Sequence, residues 1–158
     1  MRIARLSIAI LLGWAASYVP AYPQGASAVT YTSKQLIDLA QQMRENSGNA
    51  GHPKVDALEQ HLDPATTLAV RTQSGRAELH PASADEFFVI HGHATLITGG
   101  TMINPRGSGE IRGDSVQHGV HKELKSGDVV YIPAKTPHQL LVNGGEAFVY
   151  VLVKIPAR

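Results

Sequence analysis

The chain has 158 residues, a formal net charge of +1 and no cysteine. That length fits one domain, and the near-balance of charge gives no electrostatic footprint for nucleic acid or an anionic membrane surface. The lack of thiols removes disulfides and thiolate metal sites together.

Residues 1–28 read as an export signal rather than as structure. Arg2 and Arg5 supply a positive n-region, Leu6 to Leu12 an apolar h-region, and Ala26-Ser27-Ala28 a small-x-small cleavage site. The apolar run from Leu6 to Val19 is short for a membrane span of about 20 residues. Its removal takes two arginines and no acid, which moves the net charge from +1 to −1. The expectation is a periplasmic or secreted protein, free of the membrane after cleavage and held together by its core.

Thr32 then opens a helix. It can cap the chain from Ser33, with Gln35 three residues on as a capping box requires. Leu36, Ile37, Leu39, Ala40 and Met43 recur at helical spacing, and Asn46-Ser47-Gly48-Asn49 ends the run. The short amphipathic helix and its linker occupy residues 29–56. The remainder, 57–158, is β-rich, with expected strands at Thr67–Gln73, Arg76–His80, Glu86–His91, Thr95–Thr98, Val120–Leu124, Val129–Ile132, Gln139–Val142 and Phe148–Ile155. Glycine-bearing turns separate them, and Asn143-Gly144 has the signature of a tight hairpin. Asn104 to Ser115 has no periodicity and reads as a loop long enough to form a rim or lid. The pattern predicts an all-β fold, a single barrel or sandwich behind one helix.

Side chains alternate along a strand, so Glu78 and His80 face one way and Leu79 the other. Asp85 follows a turn at Pro81–Ala84 and can return to the same interior. His138, after Pro137, starts another strand, whose Leu140 and Val142 share its face. Two imidazoles and two carboxylates suit Mn, Fe(II), Zn or Ni. Phe87, Val89 and the alternating run from Phe148 read as core, although Phe87 or Tyr131 can also line a pocket for an apolar ligand. His121 reaches a cavity mouth as a substrate contact. His91-Gly92-His93 straddles a turn and reads as surface. His52 and His61 precede the barrel as ordinary polar positions.

The segment from Glu78 to Ile155 resembles the cupin superfamily. Its second motif, G(X)5PXG(X)2H(X)3N, is met by Gly127, Pro133 and His138, with Lys135 at the place of its second glycine and Asn143 one place late. The first motif, G(X)5HXH(X)3–4E(X)6G, is met in spacing by His80, Asp85 and Gly92, with Glu78 where the first histidine belongs. Ala94-Thr95-Leu96-Ile97-Thr98-Gly99-Gly100 is similar to a run in small exported single-domain bacterial cupins. The resemblance implies a jelly-roll β-barrel, a homodimer with Phe88 and Ile90 as seam residues, and a divalent metal held by Glu78, His80, Asp85 and His138.

Relative to a three-histidine, one-glutamate set, this donor set lowers the site's formal charge from +1 to zero, which favours harder ions such as Mn or Fe(II). Either Glu78 ligates, or it stands off as a general base beside a two-histidine, one-carboxylate triad. A metal-dependent lyase, isomerase or dioxygenase acting on a small organic molecule fits. So does a non-catalytic envelope module that binds a small ligand or sugar.

Overall fold

In the computed structural model, the described residues are 28, 30–45, the backbone of 54–57, 66–143 and 145–157. Contacts divide the chain into Met1–Thr30 and Tyr31–Arg158, and every element below belongs to the second unit. The export signal, the helix stop at residues 46–49, His52 and His61 lie outside the described residues.

Helix α1, Ser33–Glu45, begins as its cap dictates. The Thr32 amide donates to Gln35 Oε1 at 2.8 Å and the Gln35 amide to Thr32 Oγ1 at 3.2 Å. Two orphan donors of the first turn are thereby satisfied reciprocally. Leu36, Ala40 and Met43 are buried on one stripe.

Twelve strands follow: β1 Lys54–Ala57, β2 Thr66–Arg71, β3 Ala77–Leu79, β4 Ser83–His91, β5 His93–Thr98 and β6 Thr101–Ile103, then β7 Ile111–Gly113, β8 Ser115–Gln117, β9 Val120–Lys125, β10 Val129–Ile132, β11 His138–Leu141 and β12 Phe148–Pro156. They form two five-stranded antiparallel sheets, ordered β1-β2-β12-β4-β10 and β7-β3-β11-β5-β9, with β6 and β8 paired apart. The first sheet therefore starts at β1, within the stretch read from sequence as linker.

Alternation along each strand builds the core. Ala69, Phe87, Val89, Phe148 and Tyr150 of the first sheet pack against Ala94, Leu96, Leu124 and Leu140 of the second. On the other face of the first sheet, Leu68, Val70 and Val149 meet Leu36, Ala40 and Met43 of α1. Burying a side chain such as Leu36 or Met43 contributes roughly 1.5–3 kcal/mol. Ile90 packs against this helix cluster, which removes it as an open seam residue, whereas Phe88 stays exposed.

Two turn expectations change. β11 and β12 lie in different sheets, so the strands on either side of Asn143 do not form the expected hairpin, while Gly144 itself lies outside the described residues. The stretch 104–115 is not wholly loop: β7 pairs with β3, and Arg106 bridges to Arg112. Local residue types cannot report these pairings, because both partners lie far away in sequence.

Candidate functional site

Strand register assembles the site. The pairing of β11 with β3 sets His138 directly across from Glu78, where cross-strand side chains meet. On the other side of β3, Arg112 of β7 stands opposite Glu78. In the first sheet, Lys154 of β12 stands opposite Asp85 of β4. His80 lies just past β3, and its carbonyl accepts from the Lys135 amide at 2.9 Å. Lys135 holds φ at +64°, in the left-handed region. The chain thus keeps at Lys135 the backbone form that glycine adopts without steric cost.

Glu78, His80 and His138 converge, with one ligand atom from each lying within 4.8 Å of the others. His138 Nδ1 lies 3.0 Å from the Thr136 carbonyl. A carbonyl only accepts, so Nδ1 carries the hydrogen and Nε2 keeps its lone pair, as a ligating histidine requires. Burial lowers the His138 pKa, which favours the neutral ring despite the Thr136 contact. His80 Nε2 lies 3.6 Å from Glu78 Oε2 and 3.3 Å from Asp85 Oδ2. Neither ring nitrogen of His80 has a hydrogen-bond partner among the described residues, although both are buried. One nitrogen from each imidazole and an oxygen of Glu78 make a donor set that fits a divalent transition metal.

Charge binds the same groups together in the metal-free protein. Burial opposes a charge on His80, but the carboxylates of Asp85 and Glu78 outweigh it and raise its pKa to about 9. Burial likewise pushes Glu78 upward, and is outweighed by His80, Arg71 and Arg112, which hold its carboxyl at about 2. That value is far below the near-neutral range suited to a general base, so these surroundings favour Glu78 as ligand over Glu78 as base. Asp85, whose burial is offset by His80 and Lys154, also stays below the usual carboxylate range. Its Oδ1 is held by Lys154 at 2.7 Å, while Oδ2 lies 3.6 Å from His138 Nε2. Asp85 flanks both imidazoles but is not part of the mutually close trio.

A cavity of about 250 Å³ opens over this cluster. Phe87, Leu140, Tyr150 and Leu152 give it an apolar wall, and Glu78, Asp85 and His138 line its polar side. Of the residues expected at a substrate pocket, Phe87 lines this cavity. His121 and Tyr131 are exposed, on β9 and β10, and neither lines this cavity. His91 and His93 are surface residues that share Glu146, at 3.5 and 3.3 Å.

Sequence reading missed Arg71, Glu110, Arg112 and Lys154, which all line the cavity. Alternation in β12 puts Lys154 on the face of Phe148 and Tyr150, and alternation in β2 puts Arg71 with Ala69, so those two signals were present. Arg112 and Glu110 sit in the aperiodic stretch, where no such signal exists.

No protein-family model matches the sequence, and no curated protein does. Among solved structures, the cupin domain of CENP-C from Drosophila melanogaster matches with a TM-score of 0.52, at 10% identity, over 77% of this chain and 94% of that one. The chain has the cupin fold. The expected jelly roll is therefore present. A double-stranded β-helix protein from Klebsiella pneumoniae is 21% identical over 74% of this chain and 86% of its own, at a TM-score of 0.49. The DMSP lyase DddQ from Ruegeria pomeroyi is 15% identical over 57% of this chain, at 0.41, and the cupin chain spans only 36% of its length. The likeness to the CENP-C domain extends to fold and no further.

Proposed function

We propose that this cupin binds a divalent transition metal (Mn, Fe, Zn or Ni) through Glu78, His80 and His138, and acts as a metal-dependent enzyme on a small organic molecule held in the adjoining cavity. The observation that carries the reading is the convergence of a pre-oriented His138 Nε2, one nitrogen of the buried His80 and a Glu78 oxygen within 4.8 Å of one another, with Glu78 and His138 also lining the cavity. A bound metal would supply Lewis-acid stabilisation of an oxygen that gains charge during reaction, which suits lyase, isomerase or dioxygenase chemistry. The protein's own groups do the rest. Thr136 fixes the His138 tautomer, Arg112 anchors Glu78 Oε1 at 2.9 Å, and Lys154 holds Asp85 beside the imidazoles. The apolar wall keeps one side of a ligand dry.

One observation favours a second reading, a metal-free envelope module that captures a small ligand or sugar. Arg71, Arg112 and Lys154 already offset the charges of Glu78, Asp85 and Glu110 around the cavity. A protonated His80 between two carboxylates would then hold the place of a metal. Metal content, measured by mass spectrometry on untagged protein purified without chelators, separates the two. Near one equivalent, lost in His138→Ala and in Glu78→Ala, is expected. Folded protein that carries no metal and takes up none of Mn, Fe(II), Zn or Ni on titration retires the metalloenzyme and leaves the binding module.

The same proposal places the mature chain in the periplasm or outside the cell, on the sequence of residues 1–28. It also makes the protein a homodimer, with the exposed Phe88, Val129 and Tyr131 as seam.

A further inference from the structure

The cavity holds one guanidinium that its neighbours do not satisfy. Arg112 is engaged by Glu78 and Glu110, both at 2.9 Å, and Lys154 by Asp85 at 2.7 Å. Arg76 pairs with Asp114 at 3.4 Å. Arg71 differs. It is 7% exposed, and Nε donates to the Tyr150 hydroxyl at 3.0 Å. Its other recorded polar neighbour, Glu78 Oε1, is 3.7 Å from Nη2, beyond hydrogen-bonding distance, and that oxygen already accepts from Arg112. A guanidinium carries five N–H donors, so four remain unused among the described residues.

The fold holds this group in place. Gly75 lies against it so closely that a Cβ there would collide with Arg71 Nη1. Gly75 cannot retreat, because its amide donates to the Leu140 carbonyl at 2.8 Å and its carbonyl accepts from Gln139 Nε2 at 2.9 Å. The Tyr150 hydroxyl accepts from Arg71, which leaves its own hydrogen free to donate. Arg71 lines the cavity, so its open N–H groups are donors for an acceptor on a molecule held there. In the lining, Arg71, Arg112 and Lys154 balance Glu78, Asp85 and Glu110, while Arg76 is paired with Asp114.

We propose that Arg71, oriented by Tyr150 and Gly75, is the anchor for a ligand carboxylate. The ligand is a small organic anion whose apolar part lies against Phe87, Leu140 and Leu152. A planar carboxylate matches the guanidinium fork with two parallel hydrogen bonds, which a neutral amide or hydroxyl cannot reproduce. The assignment rests on the cavity being the ligand site proposed above, but not on the metal.

The test is calorimetric titration of the full chain, as purified and after chelation, with acetate, butyrate, succinate and benzoate. Butyramide serves as the neutral counterpart of butyrate. At least one carboxylate is expected to bind saturably, and butyrate roughly tenfold or more tighter than butyramide, in keeping with charge-assisted pairing. Arg71→Gln should abolish that preference, while Arg71→Lys should keep only part of it. Since Arg71→Gln risks misfolding, Gly75→Ala and Tyr150→Phe provide variants that keep the guanidinium but misplace it, and both should weaken butyrate more than butyramide. No saturable binding by any of the four acids overturns the proposal. So does an unchanged preference in folded Arg71→Gln, or equal binding of butyrate and butyramide. If chelated, metal-free protein keeps the preference while taking up no metal, the metalloenzyme reading fails and the carboxylate anchor stands.

Discussion

His80 sits between the carboxylates of Asp85 and Glu78, and that coupling sets how the site answers to pH. His80 is raised from 6.5 to about 9, so its contribution to stability is complete below 6.5 and is lost as pH climbs through about 9. Glu78 is lowered from 4.5 to about 2, so its contribution is present above 4.5 and is lost as pH falls towards 2. Both act near neutrality. The thermal midpoint of chelated protein should therefore fall between pH 7 and pH 10, and this fall should shrink in His80→Gln. Metal must displace the His80 proton, so affinity for Zn or Mn should rise by about tenfold per pH unit up to about 9. Competition titrations at pH 6, 7 and 8 check the slope, and a flat profile removes His80 from the ligand set. Lys135 shows the same scale from the backbone side. At φ +64° it carries the strain of a side chain in the left-handed region. Lys135→Gly should raise stability by about 0.5–1 kcal/mol, the left-handed strain relieved less the extra entropy of glycine in the unfolded chain. A lower denaturation midpoint would contradict that.

Among the elements, two motif glycines look equivalent in sequence and are not so in space. Gly92 joins β4 to β5 at φ +85°, and a Cβ there would collide with the Ala147 carbonyl. Gly127 turns between β9 and β10 at φ +91°, with nothing within 4 Å of the same atom. Gly127→Ala should cost about 1–2 kcal/mol, the strain of a left-handed residue alone. Gly92→Ala should cost clearly more, since the obstacle is backbone and cannot swing aside. Urea midpoints of the two variants measure the difference, and equal losses would mean that the β4–β5 turn yields easily. The helix follows the opposite logic: its cap, period and buried stripe are all local, and α1 forms where its sequence places it.

At the scale of the whole molecule, the site exists only because two sheets meet. Glu78 and His138 come from one sheet, Arg71, Asp85 and Lys154 from the other, and His80 from the turn beyond β3. Outside the barrel, Val129 and Tyr131 on edge strand β10 are 60% and 59% exposed, beside Phe88 of β4. A row of exposed apolar side chains on an edge strand invites pairing with another copy. Light scattering after size exclusion should report a dimer, and Val129→Glu with Tyr131→Glu should report a monomer that still takes up metal. A wild-type monomer throughout the micromolar range would remove this seam.

Sequence by itself determined the capped helix, the positions of eight strands within a few residues, the cupin spacing and the four candidate donors Glu78, His80, Asp85 and His138. Each of these is written in local periodicity or in fixed intervals along the chain. Only the tertiary structure decided that β11 and β12 part into different sheets, that β7 brings Arg112 to Glu78, that Lys154 takes Asp85, and that Arg71 is left with open donors. Those outcomes depend on register between distant strands, and a shift of one residue would turn each side chain to the opposite face.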